Sequence, residues 1–424
     1  MHILLRFIYI VVSYLLIPVI LLYLFWKGFG NPDYRRRIPE RFGFYRLAAA
    51  RDVVWVHAAS VGEVQAAAAL INALLERYPQ ATLLVTTITP TGSDRVRALF
   101  GERVMHCYAP FDLHWPVKAF FNRFAPRVAI IMETELWPNL YRECGARNVP
   151  LVLASARLSE KSVSGYRKLA ALFRKTLSHD IVIAAQTQLD ADRFIDIGAN
   201  PERVQVTGNI KYDFELAPGV REQGQELRQR QAPGRPVWVA ASTHADEEQI
   251  CLAAQHLVLK QQPDALLLLV PRHPERFDGI AALIESDGLD FVRRSGGEAC
   301  SADTRVMLGD TMGELMVFYA ASDVAFVGGS LANIGGHNLL EPAALELPIV
   351  SGPHTYNAPD IARLLDEGGA LLTVTDEVTL ARAVLELFEQ PDERSRRGKN
   401  AAALIEENRG ALERVLKLIQ PLLA

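Results

Sequence analysis

The hydrophobic pattern begins with an uninterrupted apolar segment near the start of the chain. Residues 7–26 read FIYIVVSYLLIPVILLYLFW and include no charged side chain. Because a helix rises about 1.5 Å per residue, about 20 apolar residues reach across a hydrocarbon core about 30 Å thick. Aromatic side chains lie toward the ends of the segment, and Pro18 is expected to kink the helix. The pattern therefore predicts a transmembrane anchor over residues 1–28.

Two other arrangements fit the sequence of this segment less well. A cleaved signal peptide has a shorter apolar core and an A-x-A-like cleavage site, whereas this run ends in YLFWKGFG. A helix lying along the membrane surface needs a polar stripe, which Ser13 alone does not make. The length of the run favours the spanning anchor.

Basic residues are distributed unequally around this anchor. Only Arg6 precedes it, whereas five lysines and arginines follow within residues 27–41. The positive-inside rule then places the rest of the chain on the cytoplasmic side of the membrane. The same residues can contact anionic lipid headgroups or form a solvated loop, and their position alone does not decide between the two.

Beyond residue 50, short apolar runs alternate with amphipathic helical stretches. The predicted strands of the first half are 53–58, 82–87, 127–133, 149–154 and 180–185. The alternation stops over the polar stretch 213–236, which is rich in proline and glycine, and then resumes. The predicted strands of the second half are 237–242, 265–271, 305–309, 323–329 and 347–352. Strands this apolar, alternating with helices, indicate parallel sheets covered on both faces.

The fold class predicted from this alternation is α/β, with two doubly wound, Rossmann-like domains facing a central cleft. We predict an anchor over 1–28, a first domain over 29–212, a linker over 213–236 and a second domain over 237–424 that includes the C-terminal helices. Ligands in such sheets bind beyond the carboxyl ends of the strands. Candidate site residues are therefore sought there.

Composition and the absence of common motifs exclude several functions. The net charge of −4 gives no sign of a nucleic-acid-binding protein. The cysteines are widely spaced, without metal-ligand or redox spacing, and we expect reduced thiols at Cys107, Cys144, Cys251 and Cys300. No G-x-x-x-x-G-K-[ST] occurs, and no G-x-G-x-x-G follows the first strand. These observations argue against a P-loop NTPase and a common dinucleotide-binding fold.

Acidic residues follow two predicted strands of the first domain. In HAASVGE, residues 57–63, Ser60 can cap a helix whose first turn contains Glu63. Glu63 is then either the acidic member of a helix cap or a general base. In METELWPN, residues 132–139, Glu133 and Glu135 can orient hydroxyls, or Glu135 can start a helix. Lys211 in GNIKYD can offset negative charge or can be an ordinary surface lysine.

Three motifs of the second domain suggest that it binds a phosphate or nucleotide. Arg272 and His273 in VPRHPERF follow an apolar strand, and arginine is suited to phosphate recognition. GDTMGEL, residues 309–315, offers backbone N–H groups at a helix start. GGSLANIGGHNLLEP, residues 328–342, is a glycine-rich loop that opens a helix, so its N–H groups can face an anion.

Taken together, seven motifs in order resemble the 3-deoxy-D-manno-octulosonic acid (Kdo) transferases of lipopolysaccharide assembly. They are HAASVGE, METELWPN, GNIK, ASTHADEE, PRHPERF, DTMGEL and GGHNLLEP. The resemblance covers nearly the whole chain and implies a GT-B glycosyltransferase at the bacterial inner membrane. Such an enzyme moves Kdo from the donor CMP-Kdo to the lipid A precursor with inversion at the anomeric carbon.

The resemblance also implies roles for individual residues. Glu63 matches the general base, and Glu133 and Lys211 match polar positions that steady the transition state or the Kdo carboxylate. The positions that match CMP contacts are Pro271, Arg272, Met312, Gly313, Glu314, Asn338, Leu339, Leu340 and Glu341. Leu339 departs from the family, which often has proline after this asparagine. Proline there only pre-forms a turn, so the departure changes little.

No metal or other cofactor is expected, because Arg272 and helix dipoles can balance the charge of the departing CMP. Two alternatives stay open. A nucleotide-sugar 2-epimerase has a similar two-domain architecture but needs no anchor. A membrane-bound nucleotide sensor shares the anchor and the glycine-rich loop but does not require Glu63.

Overall fold

The structure is a computed structural model that describes residues 2–48, 50–168, 177 and 181–423. The chain divides into two compact units. The first unit comprises residues 1–213 and 408–424, and the second comprises residues 214–407. Each unit contains its own seven-stranded sheet, and every strand pair in both sheets is parallel. The predicted α/β class with two doubly wound domains is confirmed.

The strands of the first unit are β1 Val53–His57, β2 Thr82–Thr87, β3 Met105–Tyr108, β4 Val128–Met132, β5 Leu151–Ala156, β6 Ile181–Ala185 and β7 Val204–Val206. The strands of the second unit are β8 Val237–Thr243, β9 Leu266–Pro271, β10 Phe291–Arg293, β11 Val306–Leu308, β12 Val324–Val327, β13 Ile349–Ser351 and β14 Leu371–Thr373.

The described α-helices are α1 His2–Leu15, α2 Ile17–Gly30, α3 Ile38–Arg41, α4 Val61–Arg77, α5 Pro90–Phe100, α6 His114–Phe124, α7 Pro138–Ala146, α8 Glu160–Lys168, α9 Gln188–Asp196, α10 Val220–Gln231, α11 Glu247–Leu259, α12 Phe277–Ser286, α13 Leu315–Ala320, α14 Leu340–Ala344, α15 Pro359–Glu367, α16 Glu377–Glu389, α17 Pro391–Asn408 and α18 Ala411–Leu423. Short 3-10 helices cover Pro32–Arg35, Gly101–Arg103, Pro201–Arg203, Ile210–Asp213, Pro274–Arg276 and Arg294–Gly296.

The sheet of the first unit has the order β3-β2-β1-β4-β5-β6-β7. Its interior strand β1 is buried along its whole length, and its side chains alternate between two apolar clusters on opposite faces. Val54 and Val56 belong to one cluster, and Val53 and Trp55 belong to the other. Two covered faces explain why this strand has an unbroken apolar sequence instead of an alternating one.

The sheet of the second unit repeats this arrangement with the order β10-β11-β9-β8-β12-β13-β14. Strand β8 is the middle strand and is fully buried, with Trp238 and Ala240 in one apolar cluster and Val237 and Val239 in the other. In both units, the central strands are the apolar runs predicted from the sequence. Their carboxyl ends position the candidate motifs.

The segment between the two sheets has more structure than its composition suggests. Within the predicted linker 213–236, helix α10 buries Val220, Gly224 and Leu227 in the second unit. Gly224 lies so close to Ala320 of α13 that an added Cβ would come within 2.3 Å of the alanine Cβ. Most polar residues of α10 therefore lie on the outer side of a packed helix, whereas Gln231 is buried.

The C-terminal helix belongs to the first unit, although it follows the second unit in sequence. Val415, Leu416, Ile419 and Leu423 of α18 join the apolar cluster under the first sheet. The carboxylate of Asp213 accepts hydrogen bonds from Gly410 and Leu412 at 2.6 Å each, where α18 begins. The contacts therefore place α18 with the first unit, whereas the predicted second domain included the C-terminal helices. The reason is that this amphipathic helix packs against the first sheet.

The apolar segment at the start of the chain forms two helices, α1 and α2, separated by a break at Leu16. No single described helix is long and apolar enough to span a membrane, but residues 6–15 and 17–30 together meet that test as a pair bent by 43°. Pro18 lies in the first turn of α2, where it lacks the N–H that would continue α1. The predicted kink is confirmed.

Candidate active site

In the first unit, Glu63 lies at the start of α4, beyond the carboxyl end of β1. Ser60 is the N-cap, and its hydroxyl oxygen accepts a hydrogen bond from the Glu63 N–H at 3.4 Å. The Glu63 carboxylate in turn accepts from the Ala59 N–H at 2.8 Å and from the Ser60 hydroxyl at 2.9 Å. The S-x-x-E sequence thus forms a reciprocal cap that fixes the carboxylate against the backbone.

The surroundings of Glu63 make it a stronger base than an exposed glutamate. Burial raises the pKa of Glu63 above its usual value, and the negative charge of Glu133 raises it further. The hydrogen bonds from Ala59 and Ser60 and the charge of Lys211 lower it. The net direction is upward, toward the range in which a carboxylate removes protons effectively near neutral pH.

Glu133 comes directly after β4 and has a left-handed backbone, with φ of 53°. This conformation is costly for a residue with a Cβ, and such strain concentrates at functional sites. The Glu133 carboxylate pairs with Nζ of Lys211 at 2.8 Å, and about a quarter of each side chain is exposed. The structure thus brings these two predicted site residues together.

Glu135 joins the same electrostatic group. Burial and the negative charge of Glu63 raise the pKa of Glu135 to about 7. Because β4 ends at Met132, Glu133 and Glu135 both lie beyond the end of the strand. Three carboxyl groups, at positions 63, 133 and 135, therefore influence one another, with Lys211 as the cation that acts on both Glu63 and Glu133.

In the second unit, a carboxylate of the protein itself occupies the first half of the glycine-rich loop. Glu247, at the start of α11, is 1% exposed. Its carboxylate accepts hydrogen bonds of 2.7–3.1 Å from the backbone N–H groups of His244, Gly329, Ser330, Leu331 and Ala332. The N–H groups of this part of the loop are therefore already bound by Glu247 and are not free for a ligand.

The second half of the loop leads into α14, a helix of five residues that begins at Leu340. The Asn338 side chain accepts a hydrogen bond from the Leu340 N–H at 3.1 Å and donates one to Glu341 at 3.2 Å. Leu339 and Leu340 are buried, so only their backbone can face a ligand. Asn338 and Glu341 are half-buried polar residues at this position.

The remaining predicted CMP positions lie in two loops of the second unit. Pro271 ends β9 and is buried, whereas the next residue, Arg272, is exposed. Glu314 forms a bidentate pair with Arg294, and hydrogen bonding to that guanidinium lowers the pKa of Glu314. Met312 is 63% exposed and Gly313 has φ of 85°, so this turn offers an apolar side chain and an open backbone.

Sequence reasoning missed Glu247 and the histidines His244 and His337. Both histidines lie in motifs named in the sequence analysis, ASTHADEE and GGHNLLEP. A single histidine in a loop motif does not by itself indicate whether it belongs to a functional site. Their Nε2 atoms lie 2.8 Å apart. Within the described part of the chain, no three or more His, Cys, Asp or Glu side chains are arranged to hold a metal ion.

Each half of the chain matches a known protein family. Residues 36–214 match the family described as 3-deoxy-D-manno-octulosonic-acid transferase (kdotransferase). Residues 235–404 match the glycosyl transferases group 1. These two matches cover the sheets of the first and second units, respectively.

Similarity to known proteins extends over the full length. The 3-deoxy-D-manno-octulosonic acid transferase of Haemophilus influenzae is 43% identical over 421 residues, which is 99% of each chain. The corresponding enzyme of Bordetella pertussis is 37% identical and covers 90% of this chain and 91% of its own.

Among solved structures, the UDP-GlcNAc 2-epimerase of Neisseria meningitidis bound to UDP-GlcNAc is similar with a TM-score of 0.57 at 14% identity. The match covers 87% of this chain and 99% of the epimerase. At this identity the likeness shows the GT-B-like fold alone. On the full-length similarity to the two transferases, the chain belongs to the family of 3-deoxy-D-manno-octulosonic acid transferases and is a glycosyltransferase.

Proposed function

We propose that this enzyme transfers Kdo from CMP-Kdo to the lipid A precursor, lipid IVA, in lipopolysaccharide core biosynthesis, with inversion at the anomeric carbon. In this reaction, a hydroxyl oxygen of the acceptor forms a bond with the anomeric carbon while that hydroxyl gives its proton to Glu63. The bond between the anomeric carbon and the donor phosphate oxygen breaks, and its electron pair leaves with CMP. A single displacement of this kind inverts the anomeric carbon.

The observation that carries the proposal is the environment of Glu63. Two hydrogen bonds, from the Ala59 N–H and the Ser60 hydroxyl, fix the carboxylate, and burial raises its pKa. A base must be both positioned and strong enough to remove a proton as the new bond forms. Glu63 has both properties, and its role as a helix cap is compatible with them.

Lys211 and Glu133 are proposed to act on the charge of the sugar. Kdo carries a carboxylate, and the Lys211 ammonium is a cation beside the acidic group that includes Glu63. The 2.8 Å pair with Glu133 holds Lys211 in position for the Kdo carboxylate or for the charge of the transition state. This pairing supports an indirect role for Glu133 and a direct one for Lys211.

The second unit is proposed to bind the CMP part of the donor. Arg272 supplies a planar guanidinium for the phosphate. The turn at Met312, Gly313 and Glu314 and the segment Asn338–Glu341 supply backbone and polar groups for the nucleoside. The reaction is proposed to need no metal ion, and a chelator should therefore leave activity unchanged.

The helix pair α1–α2 is proposed to attach the enzyme to the cytoplasmic face of the inner membrane with α1 along the bilayer surface. The Tyr9 hydroxyl donates to Asp112 of the first unit at 2.7 Å, and the Tyr14 hydroxyl accepts from the Trp115 N–H at 3.1 Å. In a spanning arrangement both tyrosines would lie within the bilayer, away from these folded partners. The contacts therefore favour the surface arrangement over the spanning helix expected from length.

The lipid-facing surface of this arrangement is apolar and has a basic edge. Thirteen of the described large hydrophobic side chains of α1 and α2 are exposed, and Phe44 and Trp115 of the same unit add an exposed aromatic pair with ring centroids 5.1 Å apart. Arg35 and Arg36 follow α2. Aromatic and basic residues at the edge of an apolar surface suit the headgroup region of a bilayer.

The direct test is to incubate the purified enzyme with CMP-Kdo and tetraacyl lipid A precursor and to determine the mass of the lipid product. The lipid is expected to gain the mass of Kdo, with one CMP released for each sugar transferred. An unchanged lipid mass with released free sugar would contradict the proposal, because it would indicate hydrolysis or the chemistry of an epimerase.

A further inference from the structure

Three histidine side chains lie together in the second unit, at the carboxyl ends of its central strands. His244 follows β8, His273 follows β9, and His337 lies in the loop after β12. The rings of His244 and His273 meet at an angle of 75° with centroids 5.1 Å apart. The rings of His244 and His337 are nearly parallel with centroids 5.0 Å apart, and their Nε2 atoms are 2.8 Å apart.

The short distance between the two Nε2 atoms restricts how many protons the pair can hold. One nitrogen must donate an N–H and the other must accept it. The neutral pair satisfies this requirement, and so does a pair with one additional proton on an Nδ1 atom. A second additional proton would set two N–H groups against each other. The pair of His244 and His337 can therefore take up one proton without losing its hydrogen bond.

The loop is shaped to make room for this pair. Gly329 has φ of 70°, and an added Cβ would come within 2.9 Å of Cδ2 of His337. The neighbouring N–H groups of the loop are held by Glu247. The glycine-rich sequence thus serves the placement of His337 as well as the binding of the Glu247 carboxylate.

Burial and the charges around the pair keep it neutral in the absence of a ligand. Burial and the charges of neighbouring His244, Arg272 and His273 lower the pKa of His337 to about 4. Burial also lowers the pKa of His244, with Arg272, His273 and Arg276 acting in the same direction and Glu247 in the opposite one. Burial, together with these groups of the β9 loop, therefore holds both pKa values down, although Glu247 of α11 acts on His244 in the opposite direction and Glu275 and Glu248 pair with His273 and Arg276.

A cation beside the pair has no anion of its own. Arg272 is exposed, and within the described residues its guanidinium has no hydrogen-bond or ion-pair partner. Its backbone N–H donates to the Thr243 carbonyl at 3.0 Å, so Arg272 and His244 leave adjacent strands side by side. The Thr243 hydroxyl is buried and also lacks a partner among the described residues. These groups form a positively charged position with unused hydrogen-bonding capacity.

We propose that His244, His273, His337 and Arg272 form a subsite for the phosphate of a nucleoside monophosphate, and that the His244–His337 pair takes up one proton when the phosphate binds. This inference rests on the proposed donor CMP-Kdo and assigns its phosphate to particular residues. Each negative charge about 5 Å away, at the effective dielectric constant near a protein surface, raises the pKa of an imidazole by roughly 2, so the two charges of bound CMP raise the pKa of His337 by roughly 4. A phosphate at Arg272 thus reverses the balance that keeps the pair neutral.

The proton has a role in the transfer. When the bond between the anomeric carbon and the phosphate oxygen breaks, its electron pair adds one negative charge to the phosphate. A protonated pair beside that oxygen stabilises the additional charge through a charged hydrogen bond. The histidines would thereby assist the departure of CMP, whereas the base in the first unit acts on the acceptor.

The test is isothermal titration calorimetry of the full-length enzyme with CMP, in two buffers of different ionisation enthalpy. At about pH 7.5 free CMP is almost fully deprotonated, because the second phosphate pKa is about 6. The difference between the buffers gives the number of protons taken up with each CMP. The variants are His337→Gln and His244→Gln, and the matched control is His256→Gln, an exposed histidine of the same unit that pairs with Asp287.

The wild-type enzyme and the His256→Gln control are expected to take up between about 0.5 and 1 proton per CMP bound. Each pair variant is expected to bind CMP about tenfold more weakly, with proton uptake near zero. Binding of CMP by the wild type without proton uptake, or unchanged uptake in both pair variants, would overturn the histidine assignment while leaving the donor intact. If the wild type failed to bind CMP, the proposed donor and this inference would both fall.

Discussion

At the residue scale, one carboxylate combines a structural and a proposed chemical role. Glu63 closes the cap of α4 through Ala59 and Ser60, and the same hydrogen bonds fix its carboxylate for the proposed role as a base. A single sequence cannot separate these roles, because S-x-x-E is a common helix start. The structure adds the burial and the acidic neighbour Glu133 that raise the Glu63 pKa, and Glu133 follows a different strand.

The pH dependence of transfer is expected to report this environment. The base acts only when deprotonated, so kcat/KM should rise with pH through the raised pKa of Glu63 and fall toward acid. Lys211 lowers that pKa and Glu133 raises it. Lys211→Met should therefore shift the acidic limb to higher pH, and Glu133→Gln should shift it to lower pH.

The measurement is the pH profile of kcat/KM with saturating acceptor, and Lys118→Met, an exposed lysine of α6, is the control. Unchanged acidic limbs in both variants would contradict the assignment of the limb to Glu63.

Glu247 is the second residue whose role is visible only in the structure. Its buried carboxylate accepts from five backbone N–H groups, four of them in the glycine-rich loop. Glu247→Gln replaces an acceptor by an amide that repels these donors, and it should destabilise the second unit by about 2–4 kcal/mol. Denaturant unfolding followed by Trp238 fluorescence measures the loss. Asp246→Asn, at an exposed position in the same turn, should have almost no effect.

At the scale of elements, the position of α1 distinguishes a surface helix from a spanning one. The hydrogen bonds of Tyr9 and Tyr14 hold α1 across the first turns of α6 and α7, where Asp112 also accepts from Asn139 and Leu140. A hydropathy pattern contains no information about such contacts. The pattern predicts the length of the apolar segment correctly. It cannot predict the orientation of α1, because the polar partners of Tyr9 and Tyr14 are about one hundred residues away in sequence.

Labelling of a single cysteine in oriented membrane vesicles tests this arrangement. The four native cysteines are first replaced by serine or alanine, and His2→Cys is introduced near the start of α1. A membrane-impermeant maleimide should label it from the same side as the control Lys118→Cys. Labelling of position 2 only from the opposite side would mean that the segment spans the bilayer.

The strands that were predicted from the sequence and the strands that were missed lie at different positions in the sheets. All interior strands were predicted, because burial on both faces gives them unbroken apolar runs. The four missed strands, β3, β7, β10 and β14, are the edges of the two sheets. They have three or four residues, and each includes partly exposed positions, as Val204–Val206 illustrates. Short, half-exposed edges carry little hydrophobic signal.

At the scale of the whole molecule, the chain returns to its first unit at the end. Helix α18 contributes Val415, Leu416, Ile419 and Leu423 to the apolar cluster under the first sheet. Each such side chain is worth about 1.5–3 kcal/mol when buried, so their combined contribution is on the order of 6–12 kcal/mol. That is comparable with the total stability of a typical domain, about 5–15 kcal/mol. The position of α18 could not be predicted, because its amphipathic pattern fits either sheet.

A chain truncated after Asn408 is therefore expected to lose the folded first unit. Limited proteolysis should degrade residues of the first unit in the truncated chain at a concentration of protease that leaves the full-length chain intact. Equal resistance of the two chains would show that α18 contributes little. Deletion of Ala424 alone provides the control.

The central claim, that Glu63 is the base of an inverting Kdo transfer, is tested most directly by Glu63→Gln in single-turnover transfer from CMP-Kdo to tetraacyl lipid A precursor. Glutamine can still accept from the Ala59 N–H but cannot remove a proton, so we predict that transfer slows by about 10²–10⁴-fold while the Kd for CMP stays within about twofold. Transfer by Glu63→Gln at a rate close to that of the wild type would contradict the account and place the base elsewhere.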